Sequence, residues 1–169
     1  MSDPAAEPTE RFDVAWFIPF PAADIFAILR DPAGHVEIDS SGMLQGFTGV
    51  PASAVDDRFT VHMDRESLND FPLGKYDVEV EIVTYEPDRE IAWTIHGQIK
   101  PTIGHVYGYR LEPGDAEGVP GTRVTSYYDW SRIAPEWRKA GIFPILPESA
   151  LRATLGILER TVARRAAGR

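Results

Sequence analysis

Apolar and polar positions alternate from the first ordered-looking segment: Phe12, Val14, Trp16 and Ile18 fall on one parity, with Asp13 and Ala15 on the other. That period of two predicts a strand with one buried face. Pro19 and Pro21 end it, and Pro21 suits the first position of a helix whose apolar side is Ile25, Phe26, Ile28 and Leu29. Asp31-Pro32 closes that helix, and a second short one is expected over 33–38. Strand signals then follow in series. A strand is expected over 43–50, stopped by Pro51; Phe59, Val61 and Met63 alternate with Thr60, His62 and Asp64. Val78, Val80 and Ile82 alternate with Asp77, Glu79 and Glu81, the clearest case in the chain. Glu86-Pro87-Asp88 reads as a turn before Ile91, Trp93 and Ile95, and further strands are expected over 105–111 and 122–130, separated by a Gly- and Pro-rich turn over 113–121. The chain closes differently: Leu151, Leu155, Leu158 and Val162 recur at helical spacing from Pro147 to Arg165, an amphipathic helix roughly 28 Å long at about 1.5 Å per residue.

Strands joined by turns rather than by helices imply an antiparallel sheet. The expected class is therefore α+β: a seven-stranded curved antiparallel sheet, two short helices after the first strand, and one long helix across the concave face. Residues 1–10 read as a disordered leader and 11–166 as one domain. A helix about 10–12 Å across cannot fill the hollow of a twisted seven-stranded sheet. The gap is either plugged by side chains or left for a ligand.

Composition narrows the function classes. The formal net charge is −9, whereas affinity for nucleic acid comes from neutralising phosphates with a basic face. The one basic cluster, Arg160, Arg164, Arg165 and Arg169, stands where cations complement the negative end of the last helix, so no nucleic-acid partner is expected. The chain has no cysteine, which removes disulfides, thiolate metal sites and a cysteine nucleophile and fits a cytoplasmic location. Neither a signal peptide nor a membrane span is read from the sequence.

Four stretches in order resemble the START-like, helix-grip superfamily (SRPBCC), which holds polyketide cyclases and dehydratases and lipid-transfer domains. They are Ile18-Pro19-Phe20-Pro21-Ala22-Ala23-Asp24-Ile25-Phe26, then Asp31-Pro32-Ala33-Gly34-His35, then 85–93, and finally Tyr109-Arg110-Leu111-Glu112-Pro113 with Gly121-Thr122-Arg123-Val124-Thr125. The resemblance runs from Phe12 to Val162. It implies the helix-grip fold and binding or transport of a small hydrophobic or aromatic molecule. It also admits a polyketide cyclase- or dehydratase-type enzyme, or a protein-interaction module, because this fold carries all three.

Strand parity selects the side chains that can face the hollow. The expected ligand wall is Phe59, Val61, Met63, Trp93, Ile95, Tyr107, Tyr109, Ser126, Tyr128 and Trp130 from the strands, with Leu151 and Leu155 from the helix. Such a wall suits a flat or greasy ligand fixed by a few hydrogen bonds, or else is a solid aromatic core. His105 shares the inward parity, and with Tyr107 it is the candidate for moving protons; Gly104 just before it could insert a bulge and reverse its facing. His62 and His96 fall outward, as does Asp129. His35 and Asp39, four apart on one helix face, together with Phe71 and Phe143, are candidate entrance residues. The first two form either an i,i+4 pair or an acid–base pair; with no third ligand near, no metal is expected, and no cofactor. Segments 65–75 and 131–146 carry concentrated apolar residues and read as lids or caps, surfaces that would also serve a homodimer.

Overall fold

A computed structural model describes residues 9–169. The leader expected over 1–10 thus lies, for residues 1–8, outside the described part. Glu10 is tied down: its carbonyl accepts the Trp130 amide at 3.0 Å and its carboxylate pairs with Arg138.

Seven strands form one sheet: β1 (Arg11–Ile18), β2 (Leu44–Thr48), β3 (Arg58–Asp64), β4 (Lys75–Glu86), β5 (Glu90–His96), β6 (Val106–Ala116) and β7 (Val119–Asp129). Their spatial order is β1-β7-β6-β5-β4-β3-β2, and every pairing is antiparallel. Helices α1 (Ala22–Leu29) and α2 (Pro32–Ile38) carry the chain from one edge strand to the other. The pairing of β4 with β5 slips between Ile82 and Thr84, and that of β2 with β3 between Leu44 and Gly46; such bulges bend a strand and deepen the curl of a sheet.

The hairpin of β6 and β7 departs from the expected Gly- and Pro-rich turn. Stretch 113–121 is the far half of that hairpin, and the turn is only Glu117-Gly118, both with positive φ (51° and 82°), as a tight two-residue loop requires. Prolines survive here because pairing with β5 ends at Glu90–Arg110 and pairing with β1 ends at Ile18–Thr122. Beyond those points both outer edges are free, so a missing N–H that faces outward costs no ladder bond.

The last helix, α4 (Glu148–Ala167), lies across the concave face and buries Leu151, Leu155, Leu158, Thr161 and Val162. The arginines at its end fasten it: Arg165 reaches Glu37 of α2 at 2.8 Å, and Arg169 reaches Asp24 of α1 at 3.1 Å. Contact between α1 and α2 is close enough that a Cβ at Gly34 would lie 2.0 Å from the Ile28 carbonyl oxygen, so only glycine fits. A further helix, α3 (Pro135–Ala140), and a 3-10 turn (Glu66–Leu68) lie inside the two segments read as lids. Among the described residues no helix is long and apolar enough to cross a membrane.

Candidate functional site

Side chains plug only part of the hollow. Val14, Ile18, Ile28, Leu158 and Val162 belong to a filled core. Beneath β3–β6 and the first turns of α4, however, a cavity of about 580 Å³ remains, a size that suits a small organic ligand. Val61, Met63, Val78 and Val80 form one side of it; Trp93, Ile95, Tyr107 and Tyr109 form the floor; Ala150, Leu151 and Thr154 of α4 form the roof.

Of the wall expected from parity, Val61, Met63, Trp93, Ile95, Tyr107, Tyr109, Ser126 and Leu151 line this space. Phe59, Tyr128, Trp130 and Leu155 do not, and the expectation is corrected for these four. They are buried behind the lining: Phe59 meets the edge of the His35 ring at 5.0 Å, and Trp130 stacks on Tyr128 at 5.4 Å and touches Phe12 at 4.9 Å. Leu155 is one turn beyond Leu151 on α4, where the helix already rests on packed core.

Many lining residues went unassigned on sequence, among them Val78, Val80, Tyr76 and Arg65. Val78 and Val80 carry the strongest alternation in the chain, and Tyr76 continues their parity, so that signal was available. Arg65 had none, because its place depends on how a loop folds. Its guanidinium is held by Asp70 and lies 5.3 Å from the Phe71 ring centroid, while Nη1 points at the Met43 sulfur at 3.1 Å. The Asp70 hydrogen bond is the main reason its pKa is raised. Segment 65–75 is thereby pinned beside the mouth, where Phe71, Leu73, Ile99 and Ile142 form an exposed apolar rim. Phe143 stands further in, 5.9 Å from the His105 ring.

His35 and Asp39 both line the cavity but do not pair, which corrects the expected side-chain pair. His35 turns back toward α1 and donates from Nε2 to the Leu29 carbonyl oxygen at 2.7 Å. Asp39 instead accepts from the Ser41 amide (2.9 Å), the Ser41 hydroxyl (2.7 Å) and the Leu44 amide (3.0 Å), shaping the entry to β2. Burial pushes the His35 pKa down to about 4. Among the described residues no three metal-ligating side chains converge.

His105 faces inward. Gly104 takes a positive φ of 89°, which turns the chain before β6 without inverting the parity. The residue precedes β6 rather than starting it, and it is 2% exposed. Nδ1 lies 2.9 Å from the Tyr128 hydroxyl, and Nε2 has no protein partner. Desolvation lowers its pKa to about 4 and raises that of Tyr109 to about 12; the Tyr107 and Tyr128 hydroxyls are raised further for the same reason. At neutral pH the whole cluster is uncharged, a set of hydrogen-bonding groups inside an apolar wall. The other two histidines stand outside: His62 bridges Thr48 and Asp77, and His96 pairs with Glu81. Asp129 binds Arg11 and Ser131 at the surface of the sheet.

A curved antiparallel sheet gripping one long C-terminal helix, with two short helices after its first strand, is the helix-grip fold, and solved structures share it. The crystal structure of DR_A0006 from Deinococcus radiodurans superposes with a TM-score of 0.57 at 23% identity, over 89% of this chain and 95% of that one. A norcoclaurine synthase from Thalictrum, solved as a point mutant in complex with a transition-state analogue, does so with a TM-score of 0.59 at 14% identity, over 94% and 97% of the two chains. In sequence, 111 residues are 29% identical to the uncharacterised protein Rv0088 of Mycobacterium tuberculosis, 65% of this chain and 43% of that protein. The match thus spans less than half the length of this relative. No family model matches the chain. At these identities the solved structures speak for the fold alone.

Proposed function

We propose that this protein binds, and carries, a small hydrophobic or aromatic metabolite in the cavity between its sheet and α4. The observation that supports this is the cavity itself: about 580 Å³ of space walled by Trp93, Tyr107, Tyr109, valines and leucines. A domain gains stability by filling its core, so a preserved hollow is a cost that binding would offset. The apolar rim at the mouth, Phe71, Leu73, Ile99 and Ile142, serves as the entry and is also the surface through which a homodimer would form. The cysteine-free sequence suits work in the cytoplasm.

Titration with an apolar fluorescent probe tests the reading. Saturable binding near one probe per chain is expected, and it weakens at least tenfold in Ala150→Trp, which places an indole at the cavity roof. Binding that does not saturate, or that ignores the substitution, defeats the proposal. Native mass spectrometry of gently purified protein would then show whether a molecule accompanies it from the cell.

A second reading has two observations in its favour: His105 and Tyr107 meet at the cavity wall, backed by Tyr128, and a structural neighbour of the same fold was solved in complex with a transition-state analogue. On that reading the chain is a polyketide cyclase- or dehydratase-type enzyme, with His105 and Tyr107 polarising a bound carbonyl or passing its proton. Full turnover by His105→Ala on any substrate found would remove this role.

A further inference from the structure

His105 Nε2 is a buried polar atom with no protein partner, on a side chain that is 2% exposed and lines the cavity. Burying such a group unpaired is unfavourable, and proteins rarely retain one without a use for it. Its neighbours settle what it offers. A hydroxyl oxygen has two lone pairs and one proton. Tyr128 is fully buried, and His105 Nδ1, 2.9 Å away, is the one hydrogen-bond partner of its hydroxyl among the described residues. Its proton therefore goes to Nδ1, because the opposite direction would bury the phenol hydrogen unpaired. With Nδ1 accepting, a neutral imidazole carries its hydrogen on Nε2. The unpartnered atom is a donor.

Two further facts limit what it can donate to. Burial alone lowers the basicity of His105, and its ring neighbours are Tyr107, Tyr128 and Phe143. The cations of the cavity lining are engaged elsewhere, Arg65 with Asp70 and Lys75 with solvent, so an anion seated at Nε2 would be buried without a free counter-charge. Beside it the wall is flat: the Trp93 ring lies within 15° of the Tyr107 plane and 28° of the Tyr109 plane, at 6.5 and 5.9 Å between centroids. We propose that the cavity selects a planar, uncharged molecule bearing a carbonyl oxygen, and that this oxygen accepts the Nε2–H of His105 while the ring system lies along Trp93, Tyr107 and Tyr109. The proposal rests on the binding reading above and adds the chemical class of the ligand.

Three tricyclic probes separate the cases: fluorene, fluorenone and fluorenecarboxylate, each titrated calorimetrically into the wild-type protein and His105→Phe at neutral pH. Fluorenone is expected to bind the wild type roughly tenfold more tightly than fluorene, the worth of one hydrogen bond made in an apolar site. Its carbonyl stretching frequency falls on binding, and His105→Phe loses both effects while retaining fluorene. Independently of any ligand, or of whether the variant folds, the imidazole nitrogen shifts of wild-type His105 should report hydrogen on Nε2. Equal affinity for fluorene and fluorenone, an unshifted carbonyl, or hydrogen on Nδ1 overturns the proposal and leaves the binding reading standing. Tightest binding of fluorenecarboxylate overturns it in favour of an acidic ligand. If neither fluorene nor fluorenone binds, the binding reading falls with it.

Discussion

The corner between α1 and α2 and the inner end of the cavity each bury a histidine, and the two differ in what their nitrogens meet. His35 is 8% exposed and His105 2%; burial lowers both to a pKa of about 4. By exposure and basicity they look alike. His35, however, gives its Nε2–H to the Leu29 carbonyl at 2.7 Å and is clamped between Phe59 and Trp93, with ring centroids 5.0 and 4.4 Å away. It closes one of the carbonyls that the end of α1 leaves open. His105 spends one nitrogen on Tyr128 and keeps the other unpaired. A perturbed pKa therefore marks both a fastening and a candidate binding group, and the count of unmade hydrogen bonds distinguishes them.

Truncating the fastening should do the most damage. His35→Ala removes a buried ring between two aromatic partners and leaves the Leu29 carbonyl open, so a loss of about 3 kcal/mol is expected in urea denaturation. His105→Phe should change stability by less than about 1 kcal/mol, because deleting the unpaired Nε2 offsets the loss of an acceptor for Tyr128. Equal losses from the two substitutions would erase the distinction.

Acid should destabilise both regions. An unfolded histidine takes up its proton near pH 6.5, whereas each folded one stays neutral until about 4. In that window the unfolded chain binds more protons, so stability is fully present above pH 6.5 and is lost as pH falls toward 4. The lost contribution is about 2 kcal/mol for each histidine between about pH 7 and about pH 4.5. Urea titrations at those two pH values should show His105→Phe losing less than the wild type by that amount. A parallel fall in both proteins would mean that His105 gains its proton as readily folded as unfolded.

How much of this was legible beforehand depended on whether the information was local. Alternation along Val78, Val80 and Ile82, and along Ile91, Trp93 and Ile95, placed strands and their inward faces, because side-chain direction in a strand follows from period alone. Depth behind the face is not periodic. Phe59, Trp130 and Tyr128 share the inward parity of Val61, Tyr107 and Ser126, yet packing against α2, Phe12 and His105 draws them behind the cavity lining. The His35–Asp39 spacing permitted a pair, and each found a better partner in backbone that only the fold brings near. Arg65 was beyond reach for the same reason. The proline-bearing end of the β6–β7 hairpin was misread because whether a strand tolerates proline depends on whether a neighbouring strand is present.

The finest version of the comparison uses two adjacent tyrosines on opposite faces of β7. Tyr127 packs over Gly108 on the outer face, where a Cβ would lie 2.3 Å from its ring, and donates its hydroxyl to Glu90 at 2.8 Å. Tyr128 is fully buried on the inner face and bonds His105. Each loses one hydrogen bond on replacement by phenylalanine, so Tyr127→Phe and Tyr128→Phe should cost about 1 kcal/mol apiece in urea denaturation. Their effects on His105 should diverge. Tyr128→Phe removes the donor that holds Nδ1, so the His105 nitrogen shifts should move toward a mixture of the two tautomers and the preference for a ketone probe should weaken. Tyr127→Phe leaves that donor in place, and the shifts should not move. Identical shifts in both variants would mean that the Tyr128 hydroxyl does not set the tautomer, and the unpaired nitrogen would then be as ready to accept a hydrogen bond as to give one.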